Sequence, residues 1–205
     1  MFVDIQNLKP KYDEVYGTLN YGPIDTARGF MGAMDMLPRL RNCNRILCVG
    51  SGNSYEAVCF QLHKKNVFTL DYHHPRVNSL KDRQVYGQGQ ALPFKNGTFD
   101  LVFSAECIEH IPENEVDQFL SELYRVGSNE YYLTIAERDD PPYHTHLTVK
   151  GIEWWMERLE ALGYEVLTAL WRPCVRNVAM YDNQVMLWDS MVKHGFVFYA
   201  KRKDI

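Results

Sequence analysis

Basic residues are not in excess in this 205-residue sequence, where 22 Lys and Arg stand against 26 Asp and Glu for a formal net charge of −4. A broad nucleic-acid footprint normally shows as a basic face, so no nucleic-acid partner is expected. Long apolar runs are missing, and with them any segment able to span a bilayer. The first ten residues carry Asp4 and Lys9 and lack the apolar core of a secretory leader. The five cysteines are an odd number without a C-x-x-C pair, which argues against a disulfide framework or a zinc ribbon. Cys48, Cys59 and Cys107 sit in apolar surroundings and read as small core residues. A reducing, cytoplasmic compartment is the expectation. The length suits one domain, 1–205, built around a three-layer core.

Also absent are the third glycine of a dinucleotide fingerprint and any G-x-x-x-x-G-K-[ST] phosphate loop. What is present is Ile46-Leu47-Cys48-Val49 running into Gly50-Ser51-Gly52-Asn53-Ser54. Four successive apolar residues suit a strand buried on both faces, as in a parallel sheet. Gly50 and Gly52 permit a tight turn and a close ligand approach to the backbone. Asn53-Ser54 suits a helix N-terminus, whose free N–H groups attract polar or anionic groups. A second short strand ends in Asp71, 21 residues after Gly50. An acid at that interval is placed to accept hydrogen bonds from the two hydroxyls of a ribose. The sixth position of the glycine pattern is Tyr55, which leaves little room for a pyrophosphate turn. The expected ligand is a nucleoside cofactor without a pyrophosphate.

Along the chain, residues 54–64 read as a helix, 67–71 and 84–87 as strands, 99–104 as a strand and 113–126 as a helix. Residues 131–136 read as a strand, 151–162 as a helix, and 164–170 and 194–201 as strands. Strands alternating with helices imply a parallel sheet covered on both faces. Residues 1–43 stand outside this alternation and are rich in aromatics and methionine; they are expected to form a helical segment capped by Asp25 or a lid hinged at Tyr16-Gly17 and Tyr21-Gly22-Pro23. Residues 171–193 are expected to carry a short helix or a substrate-facing insertion.

Val49-Gly50-Ser51-Gly52, Asp71, the run from Ala91-Leu92-Pro93-Phe94 to Phe99-Asp100-Leu101-Val102-Phe103, and Glu106-Cys107-Ile108-Glu109-His110-Ile111 together resemble the class I S-adenosylmethionine-dependent methyltransferases of the small-molecule type. The resemblance covers residues 44–170. It implies a Rossmann-like, three-layer, doubly wound α/β fold whose mostly parallel seven-stranded sheet has an antiparallel last strand. It also implies S-adenosyl-L-methionine as cofactor and S-adenosyl-L-homocysteine as product. Gly50, Gly52 and Ser54 would border the methionine moiety, and Ser104 and Ala105 would line the pocket beneath the sulfonium. Many relatives carry an Asp ahead of Leu-Pro-Phe to accept from the adenine amino group. Here Gln88, followed by Gly89, stands in its place, and an amide oxygen can also accept.

Methyl transfer is mostly a matter of alignment, and a hydroxyl acceptor adds the need for a base. His110, His144 and His146 are the candidates, because imidazole titrates near neutral pH. His110 matches a histidine often seen in the family, as pocket wall or base. His144 and His146 follow the fifth strand, on the side where an acceptor should bind. The clustering of histidines slightly favours O- over N-methylation of a small or medium polar molecule. Asp140-Pro141-Pro142-Tyr143 matches the tetrad of enzymes that methylate exocyclic amino groups of DNA bases. It falls after the fifth strand rather than the fourth, so a nucleobase N-methyltransferase is the alternative rather than the expectation. A non-catalytic domain of the same fold is the other. Glu106, Asp139, Asp140 and His144 suit magnesium poorly, since it prefers an all-oxygen shell, and no metal is expected.

Overall fold

A computed structural model of the protein describes residues 23–52, 54–72, 78–139, 144–174, 177–181, 184–188 and 192–203. The proposed hinges in residues 1–22 and the tetrad from Asp140 to Tyr143 lie outside the described residues.

Strand β1, Arg45–Val49, buries four consecutive apolar side chains because it is covered on both faces. Leu47 and Val49 join one hydrophobic core and Ile46 and Cys48 the other, as the two-residue strand period requires. The strand lies between two parallel neighbours, β2 (Asn66–Asp71) and β4 (Phe99–Ala105). The short β3, Gln84–Tyr86, closes that edge beside β2. On the other side β4 is followed by β5, Gly127–Ala136, also parallel. The last strand, β9 (Val192–Arg202), runs antiparallel between β5 and β6 (Tyr164–Cys174). The seven-stranded order is therefore β3-β2-β1-β4-β5-β9-β6, the mostly parallel sheet with an antiparallel last strand that the sequence implied.

Helices α1 (Pro23–Met36) and α2 (Tyr55–Leu62) cover one face, through Ala33, Met36, Ala57 and Phe60. Helices α3 (Glu113–Val126) and α4 (Ile152–Ala161) cover the other. Val116, Phe119, Leu120 and Leu123 form the buried stripe of α3 at helical spacing. Phe99 and Val102 join the same core, although a regular strand would put them on opposite sides, and the pairing with β5 is irregular at this point, with two steps of β4 opposite three of β5.

Several boundaries differ from the sequence reading. Asp25 lies inside α1 rather than ahead of it, because Pro23 occupies the first helical position, where its missing N–H costs nothing. Strand β5 begins at Gly127, four residues earlier than its apolar run, since Ser128 and Asn129 are exposed at the sheet's end. Of the short helix or substrate-facing insertion expected over 171–193, no helix is found among the described residues, which are extended. β6 and β9 continue pairing to Cys174 and Val192, and β7 (Asn177–Tyr181) pairs antiparallel with β8 (Gln184–Trp188). Among the described residues, no helix is long and apolar enough to cross a membrane.

The chain winds one way from β1 to β3 and the other way from β4 onward. In open α/β sheets, ligands bind at this reversal, outside the carboxyl ends of the strands. Here that crevice lies at the ends of β1 and β4.

Candidate active site

The segment leaving β1 turns through three residues with positive φ: Gly50 at 69°, Gly52 at 46° and Ser54 at 59°. At Gly50 the backbone demands glycine twice over, since a Cβ there would also lie 2.2 Å from the Cys107 sulfur. Gly50 N–H donates to the Leu70 carbonyl at 2.9 Å, tying the turn to β2. Gly52 N–H donates to Asp71 Oδ2 at 2.7 Å. That bond fixes the carboxylate of Asp71, only 8% exposed, at the tip of β2 beside the turn. An ionised carboxylate is acceptor-only, the chemistry that suits a pair of hydroxyl donors. Ser54, at 1% exposure, makes no side-chain cap for α2. Its hydroxyl instead meets that of Ser51 at 3.2 Å, and its backbone N–H donates to the Ser51 carbonyl at 2.6 Å. The helix cap expected of Ser54 is thus not what its side chain does, and Asn53 lies outside the described residues.

Beyond β3, Gln88 is exposed and Gly89 is buried. A Cβ on Gly89 would lie 2.0 Å from the Phe119 ring, so this loop rests directly on α3. Buried Gln90 anchors it further. Its Nε2 donates to Glu115 Oε2 at 2.7 Å, and its carbonyl accepts from Gln118 at 3.0 Å. At the end of β4, Ser104 is buried and Ala105 half-buried.

A second cluster forms where β4 and β5 end. Glu109, with no exposed surface, lies in the single helical turn Ile108–His110 and accepts the Ala136 N–H on Oε1 at 3.1 Å. Its carbonyl accepts from Leu147 and Thr148 N–H at 2.8 and 2.9 Å, which pins the segment after β5. His110 Nδ1 meets the Thr145 carbonyl at 3.1 Å, and His146 Nδ1 meets the Arg138 carbonyl at 2.5 Å. A carbonyl oxygen only accepts, so each Nδ1 carries the proton and the neutral lone pair falls on Nε2. The two rings stand edge to face with centroids 4.8 Å apart. His144, by contrast, is exposed and pairs with Asp139. The thiol of Cys107, against Gly50, is pushed up by burial and then by the charges of Asp71 and Glu109, so it stands within electrostatic reach of both halves of the site.

The pattern of a family described as "Methyltransferase domain" matches residues 47–134, from β1 through most of β5. Over that stretch, 88 of the 205 residues, the chain is similar to methyltransferase domains. Over 72 residues it is 38% identical to norajmaline N-methyltransferase of Rauvolfia serpentina, a match covering 33% of this chain and 24% of that protein. Over 85 residues it is 35% identical to "Probable tocopherol O-methyltransferase, chloroplastic" of Oryza sativa subsp. japonica, covering 37% of this chain and 21% of that protein. The matched stretch thus spans less than a quarter of either curated relative. Among solved structures, Burkholderia thailandensis 1,6-didemethyltoxoflavin-N1-methyltransferase, with bound 1,6-didemethyltoxoflavin and S-adenosylhomocysteine, superposes with a TM-score of 0.76 at 14% identity. That superposition covers 100% of this chain and 92% of the other.

The described structure brings Gly50, Gly52, Ser54 and Asp71 together around the end of β1. It places His110 beside His146 and leaves His144 apart. Two acids were missed from sequence. Glu109 was quoted only as part of a motif, although an acid directly before His110 in a buried turn was the available signal. Glu56, in the first turn of α2, looked like ordinary helix chemistry. It is 7% exposed and lies against α1, where a Cβ on Gly29 would come within 2.8 Å of Oε2. Burial first, and the charge of Asp71 next, push its carboxyl up to about 8.

Proposed function

We propose that the protein transfers the methyl group of S-adenosylmethionine to a small or medium polar acceptor, with a hydroxyl favoured over an amine. The cofactor supplies an electrophilic methyl on a sulfonium; the chain must hold it, align the acceptor and provide for the acceptor's proton. In this reading Asp71 accepts from the ribose hydroxyls, and Gly50, Gly52 and Ser54 border the methionine portion. Gln88 and Gly89 flank the adenine, and Ser104 and Ala105 sit beneath the sulfonium. His110 and His146 serve the acceptor, with His144 at the rim.

The observation that carries the preference for a hydroxyl is the His110–His146 pair. Both rings are oriented by backbone carbonyls so that Nε2 is the basic atom, in the segments that follow β4 and β5. An amine acceptor, already nucleophilic when neutral, has less use for such a pair. The two curated relatives, one an N- and one named as an O-methyltransferase, are compatible with either acceptor.

A screen with methyl-labelled S-adenosylmethionine against matched small hydroxylated and amine compounds tests the reading. Label is expected on oxygen, and on no DNA substrate. Transfer confined to amines would overturn the hydroxyl preference, and N6-methyladenine or N4-methylcytosine in DNA would revive the tetrad reading.

A further inference from the structure

We propose that Glu109, His110 and His146 form a binding site for one divalent transition-metal ion of the zinc class. The role given to the ion rests on the acceptor reading above; its binding does not. One potential ligand atom from each of the three residues lies within 4.8 Å of the other two. Two imidazoles and a carboxylate are the donor set of catalytic zinc sites that keep a position open for substrate. Imidazole nitrogen favours zinc, cobalt, nickel or iron over magnesium or calcium.

The surroundings are those of a supported site rather than a chance cluster. Both histidines turn Nδ1–H onto a backbone carbonyl, Thr145 for His110 and Arg138 for His146. This outer bond fixes the tautomer and aims Nε2, as second partners do in metal centres. Glu109 is fully buried and oriented by the Ala136 N–H on one oxygen. Its own carbonyl bonds to Leu147 and Thr148, which holds the segment carrying His146 against the turn carrying His110. The set differs from the Glu106, Asp139, Asp140 and His144 combination considered from sequence, of which Asp139 and His144 pair with each other in the open.

An ion here would sit at the carboxyl ends of β4 and β5. With both Nε2 lone pairs on the ion, the ion takes over from the histidines as activator: an acceptor hydroxyl taking its open position would lose its proton to water near neutral pH. The oxygen would keep the electron pair with which it displaces the sulfur, leaving S-adenosylhomocysteine.

The test uses the full chain, stripped with a chelator and titrated with Co2+ as a spectroscopic substitute for zinc, with Zn2+ competition to obtain the affinity. Ligand-field absorption should rise to one ion per chain. His110→Ala and His146→Ala should each weaken binding by about 100-fold or more, and Glu109→Gln by at least about 10-fold. His63→Ala, at the exposed end of α2, should bind as the wild type does. Far-UV circular dichroism checks that each variant is folded. Absent bands, or bands that survive both histidine substitutions in folded protein, overturn the proposal. S-adenosylhomocysteine binding, measured on the stripped protein, separates the two readings. Cofactor binding without cobalt bands removes only the ion, whereas cobalt bands without cofactor binding remove the methyltransferase reading and leave the ion site standing.

Discussion

Replacing Glu56 by Gln should make the protein more stable, and by an amount that depends on pH. The carboxyl is 7% exposed beneath α1, and burial raises it from an ordinary 4.5 to about 8. Below pH 4.5 the group is protonated in both the folded and the unfolded chain, and nothing is lost. Between 4.5 and about 8 the unfolded chain releases this proton while the folded chain retains it. Stability then falls with rising pH at about 1.4 kcal/mol per unit. Across the whole window the loss approaches about 5 kcal/mol, an upper limit because a slight opening of the α1–α2 contact would admit water. Glutamine keeps the size and cannot ionise. Its advantage over the wild type should therefore be within about 1 kcal/mol at pH 4.5 and grow to several kcal/mol at pH 8. Chemical denaturation followed by far-UV circular dichroism at half-unit steps of pH measures it. Stability curves for Glu56→Gln and wild type that run parallel from pH 4.5 to 8 would refute the reasoning, since Glu56 would then be ionised in the fold.

Three further outcomes are expected. Ser54→Gly should stabilise the fold by about 0.5–1 kcal/mol in thermal melts, because it relieves a left-handed non-glycine residue at φ 59° and gives up only the 3.2 Å contact to Ser51. Gly89→Ala should cost roughly 1–3 kcal/mol in the same assay, since its Cβ would stand 2.0 Å from the Phe119 ring; an unchanged melting temperature would show that the loop does not rest on α3. With a hydroxyl acceptor, His110→Ala and His146→Ala should each lower turnover about 10²–10⁴-fold while leaving S-adenosylhomocysteine affinity unchanged, whereas near-wild-type turnover in both would remove the pair from the chemistry.

The parts of the fold that were legible from sequence are those whose signal is local. Four apolar residues before Gly50 announced a strand buried on both faces. Helix α3 was read over 113–126, the bounds it has, and its buried residues Val116, Phe119, Leu120 and Leu123 recur at helical spacing. The first residues of β5 were not legible, because Ser128 and Asn129 are exposed at an irregularity in the pairing with β4 and need not be apolar. Nor was the continuation of β6 and β9 past the sheet's end, where pairing rather than a buried face defines the strand. The site divides in the same way. The glycine turn and Asp71 could be joined because two parallel neighbours one helix apart bring their ends together at a fixed interval. His110 and His146 come together through the pairing of β4 with β5 and through the two bonds to the Glu109 carbonyl, contacts that no spacing in the chain encodes. Glu56 escaped notice because an acid in the first turn of a helix is favourable in water, and only the packing of α1 makes it a buried one.

In the proposed reading Asp71 accepts from the ribose hydroxyls of S-adenosylmethionine while the glycine turn beside it borders the methionine moiety. Calorimetric titration of the purified chain with S-adenosylhomocysteine tests it most directly, on wild type and on Asp71→Ala shown to be folded by circular dichroism. Wild-type binding in the micromolar range, about −8 kcal/mol, is predicted. The loss of a buried carboxylate held by Gly52 N–H at 2.7 Å should weaken it by roughly 2 kcal/mol or more. Equal affinity in the two proteins, or no binding by the wild type, would contradict the account.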